Sequence, residues 1–527
     1  MPSSVMTHSF SEVPRAEIPR SSFNRSHGVK TTFDADYLIP ILVDDIVPGD
    51  TFNVNMSFFA RLATPLHPIM DNMFLESFFF FVPYRLLWDN FEKFHGSQVD
   101  PADSIDFTIP AQSSGTTVDI RSGNDGALRT YMGLPPNSSV DLSEISALPT
   151  RAYNLIWNEW FRDQNLQDSL TVETDDGPDT YASYALVKRG KRHDYFTSAL
   201  PWPQKGDAVD LPLGTVAEVH TAAGVAGNIG IYSDSTSSYK LMDPNTGAGF
   251  VQVDSGTTNA QTNVMYADLS SATSATINDL RLAFQTQRLL ERDARSGTRY
   301  NEMILAHFGV TVPDFRVQRP EYLGGGSTRV NVTPVAQTSG QPTPAADDAL
   351  GLLGGFGTAS GTHGFTKSFV EHGVLIGLVN LRADITYSQG VERYWHKSTR
   401  YDFYYPVLSM IGEQAVLDQE IFYQNTSADD DVFGYQERYA EYRYKPSRLT
   451  GLFAVDHASS LKAWHLSEDF GSLPTLGDTF IQSNTGTPLD RAIAVNTEPH
   501  LLFDAHFNMQ CARPMPLFGV PGNLDRF

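Results

Sequence analysis

Residues 74–94 read FLESFFFFVPYRLLWDNFEKF, with four phenylalanines in succession from Phe78 to Phe81. Three environments can accept such a block: a membrane, a very apolar core, or a surface that another subunit covers. A spanning helix needs about 20 successive apolar residues. Glu76 and Arg85 bracket this run and Pro83 breaks it, and GVLIGLVNL (373–381) is also too short. The N-terminal MPSSVMTHSF lacks a basic region followed by an apolar one, so no signal peptide is expected. The aromatic block therefore predicts a strand over 74–82, buried between two layers. Pro83 stops it, and Leu87, Phe91 and Phe94 then recur at helical spacing up to Gly96. Core and subunit contact both stay open for Trp88, Phe91 and Phe94.

The surrounding pattern is that of strands. In TFNVNMSFFARL, Phe52, Val54, Met56 and Phe58 alternate with polar residues, as in a half-buried strand. With 40 Gly, 31 Pro, 33 Phe and 22 Tyr in 527 residues, turn formers and aromatics favour many strands with irregular connections. Strand alternation returns at Leu381, Ala383, Ile385 and Tyr387, and GYQERYAEYRYKPSRLTGLF (434–453) is strand-like. A helix is expected over 147–170, with Leu155, Ile156, Trp160 and Phe161 on its apolar face. Residues 324–364, rich in Gly, Thr and Pro, read as a long loop. The expected organisation is an arm (1–30), a first β region (31–204), a low-charge surface excursion (205–275), a second β region (276–510) and an extended tail (511–527).

The formal charge of −23 repels nucleic acid from the chain as a whole, so any such contact must be local. Two places concentrate cations. In the arm, Arg15, Arg20, Arg25 and Lys30 recur every five residues, suited to a phosphate backbone or to a groove on a neighbour. In the helix expected over 277–296, Arg281, Arg288, Arg292 and Arg295 share one flank. Leu282 and Leu289 point away from its main apolar stripe, so a partner is expected to cover them. The bland alternative is that these arginines meet acids of their own chain.

No chemistry announces itself. The chain has no H-E-x-x-H, G-x-S-x-G or Walker Gly-Lys-Ser/Thr motif, no H-x-H pair, and one cysteine, Cys511, expected to pack as a small apolar side chain. GLLGGFG (351–357) fits no dinucleotide fingerprint. Asp429, Asp430 and Asp431 form an acidic run of the kind that sometimes holds Ca²⁺ and more often is a solvated turn. No cofactor, no metal site and no enzyme activity are expected. Two functions of different class remain: a self-assembling shell protein, or a carbohydrate-binding or glycosidase-like β-sandwich with one aromatic and carboxylate groove.

Several long blocks decide between them. RSSFNRSHGVKTTFDADYLIPILVDDIVPGDTF (20–52), RLATPLHPIMDNMFLESFFFFVPYRLLWDNF (61–91), WNEWFRDQNLQDSL (157–170), YFTSALPWPQKG (195–206), INDLRLAFQTQRLLERDARSGTRY (277–300), ERYAEYRYKPSRLTGLF (437–453) and FGVPGNLDRF (518–527) stand in this order. The chain so resembles the major capsid proteins of gokushoviruses, single-stranded DNA bacteriophages of the microvirus family. The resemblance implies an all-β, eight-stranded antiparallel jelly roll with long insertions and a few short helices. It implies a T=1 icosahedral shell around a circular single-stranded DNA genome, with 205–275 as a threefold protrusion that meets a host receptor. The implied partners are further copies of the chain, the genome, a small basic DNA-packaging protein, and spike or pilot and scaffolding proteins. The implied location is the virion, assembled in the bacterial cytoplasm without membrane insertion. Trp88, Phe91, Phe94, Leu282, Leu289 and the terminal Phe527 are the expected subunit contacts.

Overall fold

The computed structural model describes residues 19–113, 127–136, 141–209, 277–338, 351, 353–482 and 488–519, with the backbone of five strands between 219 and 267. The chain divides into two compact units, one drawn from residues up to Pro203 and from Ser296 onward, the other spanning Gln204–Arg295. The first unit begins with strands β1 (Ser21–Asn24), β2 (His27–Phe33), β3 (Ile39–Ile46), β4 (Thr51–Leu62) and β5 (Met73–Pro83). The second holds β6 (Val219–Thr221), β7 (Gly230–Ser233), β8 (Ser238–Asn245), β9 (Phe250–Thr258) and β10 (Met265–Ala267). The first unit resumes with β11 (Glu321–Ala336), β12 (Leu353–Ser368), β13 (Gly373–Ala383), β14 (Glu413–Leu417), β15 (Val432–Glu437) and β16 (Leu501–Arg513).

The main sheet of the first unit runs β1-β16-β4-β12-β11-β5-β13-β3, with β2 also on β16, and every pairing is antiparallel. It curls into two layers. One is β2/β1-β16-β4-β12 and the other β3-β13-β5-β11. Strand β11 belongs to both: Glu321–Val330 pairs with β5, and Asn331–Ala336 pairs with β12. Strands consecutive in sequence mostly fall in opposite layers, which is the winding of a jelly roll. In the second unit β7, β8 and β9 form one antiparallel sheet, β6 pairs with β10, and the helix Ile277–Ser296 closes the segment. The chain enters and leaves this unit side by side, since the Lys205 amide donates to the Leu290 carbonyl (3.3 Å).

The two layers differ in what covers them. Strands β4 and β16 alternate strictly between buried and exposed residues, so their layer has one dry and one open face. The dry face holds Phe52, Val54, Met56 and Phe58 of β4 and Phe503, Phe507 and Cys511 of β16. Strand β13 is buried on both faces and β5 nearly so. That accounts for the aromatic block. Phe79 and Phe81 point inward, against Phe365 and Phe369. Phe78 and Phe80 point outward and meet Phe161 and Trp160. Those two rings come from a turn of π-helix (Trp157–Phe161) that extends the helix Leu148–Ile156 across the sheet.

This helix is anchored by polar tips on apolar bodies. The Tyr153 hydroxyl donates to the Leu38 carbonyl (2.8 Å), and the Trp157 and Trp160 indoles donate to the carbonyls of Lys188 and Pro320 (3.0 and 2.9 Å). Arg151 lies wholly inside, with Nε and Nη2 on the Asp179 carboxylate at 2.8 and 2.5 Å. Arg189 and Arg382 share Glu76 on the same outer face. Beside them, burial pushes the Asp36 carboxyl up to about 6 although Lys188, Arg382 and Lys191 face it.

Four local expectations are corrected. Residues 324–364 are not one loop: they contribute most of β11 and β12. Glycine is there for close approach. A Cβ on Gly325 would lie 2.0 Å from the Ser77 carbonyl oxygen, and one on Gly364 2.2 Å from that of Val54. After Pro83 the chain forms a 3₁₀ turn (Tyr84–Leu86) and one helical turn (Phe91–Phe94), not one helix. The helix expected over 147–170 ends at Phe161, where Asn158 exchanges hydrogen bonds with the backbone of Leu170 and folds the chain back. In 434–453 only the start is strand; from Ala440 3₁₀ turns take over. Residues 19–30 of the expected arm fall in and beside β1 and β2, which pair with their own chain's β16.

Candidate assembly and nucleic-acid surfaces

Two surfaces of the first unit stand out. The first is an aromatic belt over residues 394–411, YWHKSTRYDFYYPVLSMI. Three 3₁₀ turns (Arg393–His396, Arg400–Asp402, Pro406–Met410) shape it. Asp402 accepts from the Ser398 and Thr399 amides (3.0 and 2.7 Å), which closes the middle turn, and Pro406 starts the last. The turn Ala440–Tyr442 and its flanks pin the belt from below. Tyr439 and Arg438 donate to the Tyr401 carbonyl (3.1 and 3.2 Å), and Lys397 donates to the Tyr442 hydroxyl (2.6 Å).

The belt is thus held in place yet uncovered. Trp395 is 68 % exposed, Val407 88 % and Met410 93 %, with Tyr401, Phe403, Tyr404 and Ile411 also exposed. Cations lie over its rings: Lys397 over Tyr442 and Phe403, Arg400 over Tyr401 and Tyr405, Lys445 and Arg448 over Tyr394. Contiguous exposed apolar surface of this kind marks a site of association, and Trp, Tyr and Arg are the residues that dominate protein contacts.

A cavity of about 400 Å³ opens beside the belt, walled by Tyr195, Tyr394, Trp395 and Tyr444. Glu420 at its wall is held by Arg393 (2.9 Å) and the Tyr195 hydroxyl (3.0 Å). Burial nonetheless raises its carboxyl above the ordinary range. Glu392 behaves oppositely. Burial pushes it up, but the hydrogen bonds and charges of Arg448 and Lys445 outweigh that and hold it low. Every carboxylate named here is neutralised by a cation of the same cluster.

The second surface is the open face of the β4–β16 layer. The register sets four rows across it: Gly28–His506–Ser57–Thr362, Ser26–Asn508–Asn55–Gly364, Asn24–Gln510–Asn53–Thr366 and Ser22–Ala512–Thr51–Ser368. None of these positions is Asp, Glu, Lys or Arg. Hydroxyls and amides bridge some of them, as Thr51 to Ser368 (2.8 Å) and Thr366 to Asn53 (3.2 Å). Beyond the rows lie Lys30, Asp504 and Arg61 at one end and Arg20 at the other.

The residues singled out in sequence fall in several places. Arg20 donates to Thr51 Oγ1 (2.6 Å), Arg25 grips Asp44 with both terminal nitrogens (2.6 and 2.8 Å), and Lys30 pairs with Asp504 (2.5 Å). Arg281, Arg288, Arg292 and Arg295 are exposed on the second unit's helix, as are Leu282 and Leu289. Trp88 is fully enclosed and donates to Asp176 (2.6 Å), so its ring belongs to this chain's own core, with Phe91 and Phe94 half-buried against it. Arg15 and Phe527 lie outside the described residues. Asp429 serves a turn, accepting from the Gln424 and Thr426 amides (both 2.9 Å). The belt was missed, although its density of Tyr, Trp and Phe without strand or helix period was readable.

Comparison with known proteins agrees with the fold. The family model for the capsid protein (F protein) matches residues 11–523. The chain is 46 % identical to capsid protein VP1 of Bdellovibrio phage phiMH2K, over 99 % of this chain and 98 % of that one. It is 43 % identical to capsid protein VP1 of Chlamydia phage 1 (98 % of both chains) and 34 % identical to that of Spiroplasma virus 4 (98 % and 97 %). These relatives are structural proteins, which displaces the sugar-binding or sugar-cleaving sandwich and any enzymatic role. With a jelly roll at its centre and matches that run nearly end to end, the chain belongs to the capsid protein (F protein) family, as a major capsid protein of gokushovirus type.

Proposed function

We propose that copies of this chain close a T=1 icosahedral shell around a circular single-stranded DNA genome, and that the aromatic belt is one of the surfaces by which they meet. The observation that carries the belt's part is its combination of rigidity and exposure. A stable contact buries about 1,200–2,000 Å² and centres on aromatic anchors. Pinned Trp and Tyr rings with Val407 and Met410 at their tip supply such anchors without an ordering cost. The second unit, with residues 205–275, is the threefold protrusion that meets a host receptor. A chain this acidic neutralises little genome, so a small basic packaging protein accompanies it; scaffolding and spike or pilot proteins act in assembly, within the bacterial cytoplasm.

Electron microscopy and mass photometry of the chain produced with its phage partners test this. Uniform megadalton shells are expected from the unaltered chain. The Val407→Asp/Met410→Asp double variant should remain folded by circular dichroism yet yield only small species. Shells from that variant in normal amount would remove the belt from the contact. Replacing residues 206–289 by a short Gly-Ser linker should leave shells that assemble and lose adsorption to host cells; undiminished adsorption would refute the protrusion's role.

A further inference from the structure

The open face of the β4–β16 layer is unusual for this chain. Charged residues make up 19 % of the sequence, and acids exceed bases by 23. The exposed side of a water-facing antiparallel sheet carries polar residues, with charged ones commonly among them. Here four rows of four positions carry no charged residue. The field spans about 14 by 20 Å between its outermost Cα positions, from ordinary strand and residue spacings. The side chains of Asn55, His506 and Gln510 make no hydrogen bond among the described residues, and the Asn53 and Asn508 side chains accept through Oδ1 and leave their amide N–H groups unengaged there. Phe59 and Leu502 lie only at the rim of the face, beside Arg61 and Lys30.

We infer that this face lies against single-stranded DNA and holds it by uncharged hydrogen bonds, an inference that rests on the shell reading above. Three features point to that ligand. An acid-free field on a −23 chain is a surface that does not itself repel a polyanion. Asn, Gln, Ser, Thr and His offer donors to phosphate oxygens and both donors and acceptors to unpaired base edges. The centre of the face lacks the aromatic and Arg anchors that a second copy of the chain would need. The binding mode differs from that of a basic groove. With few Lys or Arg engaged, few counterions are released and salt weakens binding little. Such a strand is held in many registers, which suits a genome of arbitrary sequence.

The test uses the full chain, as isolated and as shells, with a fluorescein-labelled dT oligonucleotide read by polarisation. Raising salt from about 50 to about 200 mM should weaken binding less than about sevenfold, the loss for two released counterions on a single strand; four would give about fiftyfold. The Asn55→Asp/Asn508→Asp variant changes two amides to carboxylates with little change of shape. It should bind at least about tenfold more weakly, from like-charge repulsion between the two new carboxylates and the phosphates. The Asn55→Lys/Asn508→Lys variant should bind more tightly and with a steeper salt slope. Wild-type affinity in the Asp variant, or a fiftyfold salt loss in the unaltered chain, overturns the inference while leaving the shell reading intact. An Asp variant that binds DNA normally but no longer forms shells would make this face a contact between copies and overturn it as well. Failure of the unaltered chain to form shells would instead refute the shell reading, whatever the oligonucleotide shows.

Discussion

Replacing Gly325 by alanine is expected to destabilise the native fold severely. The added Cβ would stand 2.0 Å from the Ser77 carbonyl oxygen and 3.0 Å from the Tyr322 hydroxyl. The first of these is backbone of the neighbouring strand and cannot swing aside. Strand β11 must then move from β5 by more than an ångström, and the ladder on both sides of the Gly325–Phe78 pair breaks. The space beneath is also committed. The Ser77 hydroxyl meets His363 Nδ1 at 2.6 Å, His363 Nε2 meets Thr328 at 3.0 Å, and a Cβ on Gly326 would reach 2.4 Å from that imidazole. A cost on the order of 4 kcal/mol or more places this variant among the exceptional ones. Gly354 is the control. Its added Cβ would meet only the Val335 carbonyl oxygen, at 3.9 Å, so Gly354→Ala should stay within about 0.5 kcal/mol of the unaltered chain. Denaturant midpoints of the two variants measure the contrast, and equal midpoints would disprove it.

The second large effect is expected at Arg151. Neither Arg151 nor Asp179 has any side-chain exposure. The guanidinium also donates to the carbonyls of Leu87 (2.8 Å) and Asp175 (3.0 Å), and the Tyr184 hydroxyl donates to the Asp179 carboxylate (2.6 Å). One side chain so ties the helix Leu148–Ile156 to the turn after β5 and to residues 175–184. Arg151→Met keeps much of the volume but strands a carboxylate in an apolar setting, at a cost of about 3–5 kcal/mol. Adding Asp179→Asn removes the stranded charge and should recover a large part of that loss. The comparison is again made by urea midpoints. A double variant no better than Arg151→Met would mean that the guanidinium's carbonyl contacts, not the buried charge, account for the loss.

How far the sequence was readable depends on the scale at which its signals act. Alternation in β4 was plain because one open face makes every second residue polar. The aromatic block could be read as a strand buried twice, but the sequence did not show what covers its outer side. That cover is Trp160 and Phe161, about 80 residues further along, which come to lie on Phe80 and Phe78. The glycine-rich strands β11 and β12 were misread because glycine signals both loops and tight approach of backbones, and only the neighbouring strand distinguishes them. The arm's cations looked available for phosphate because their acids are distant in sequence: Asp44 for Arg25 and Asp504 for Lys30. The acid-free rows are invisible without register, since each row draws on four separate segments. Family and fold were legible through long ordered blocks; individual contacts, which arise between those blocks, were not.

Strand β11 has a mechanical consequence. In a sandwich of two independent sheets, the layers can slide past each other by disturbing only side-chain packing. Here one strand is hydrogen-bonded into both layers, through Glu321–Val330 on one side and Asn331–Ala336 on the other. Sliding would have to bend or break that strand at Val330–Asn331, and close-packed interiors resist compression in the same way. The subunit therefore responds to load as a stiff brick. Swelling or indentation of a wall built from it is taken up at the mortar, where one copy meets the next.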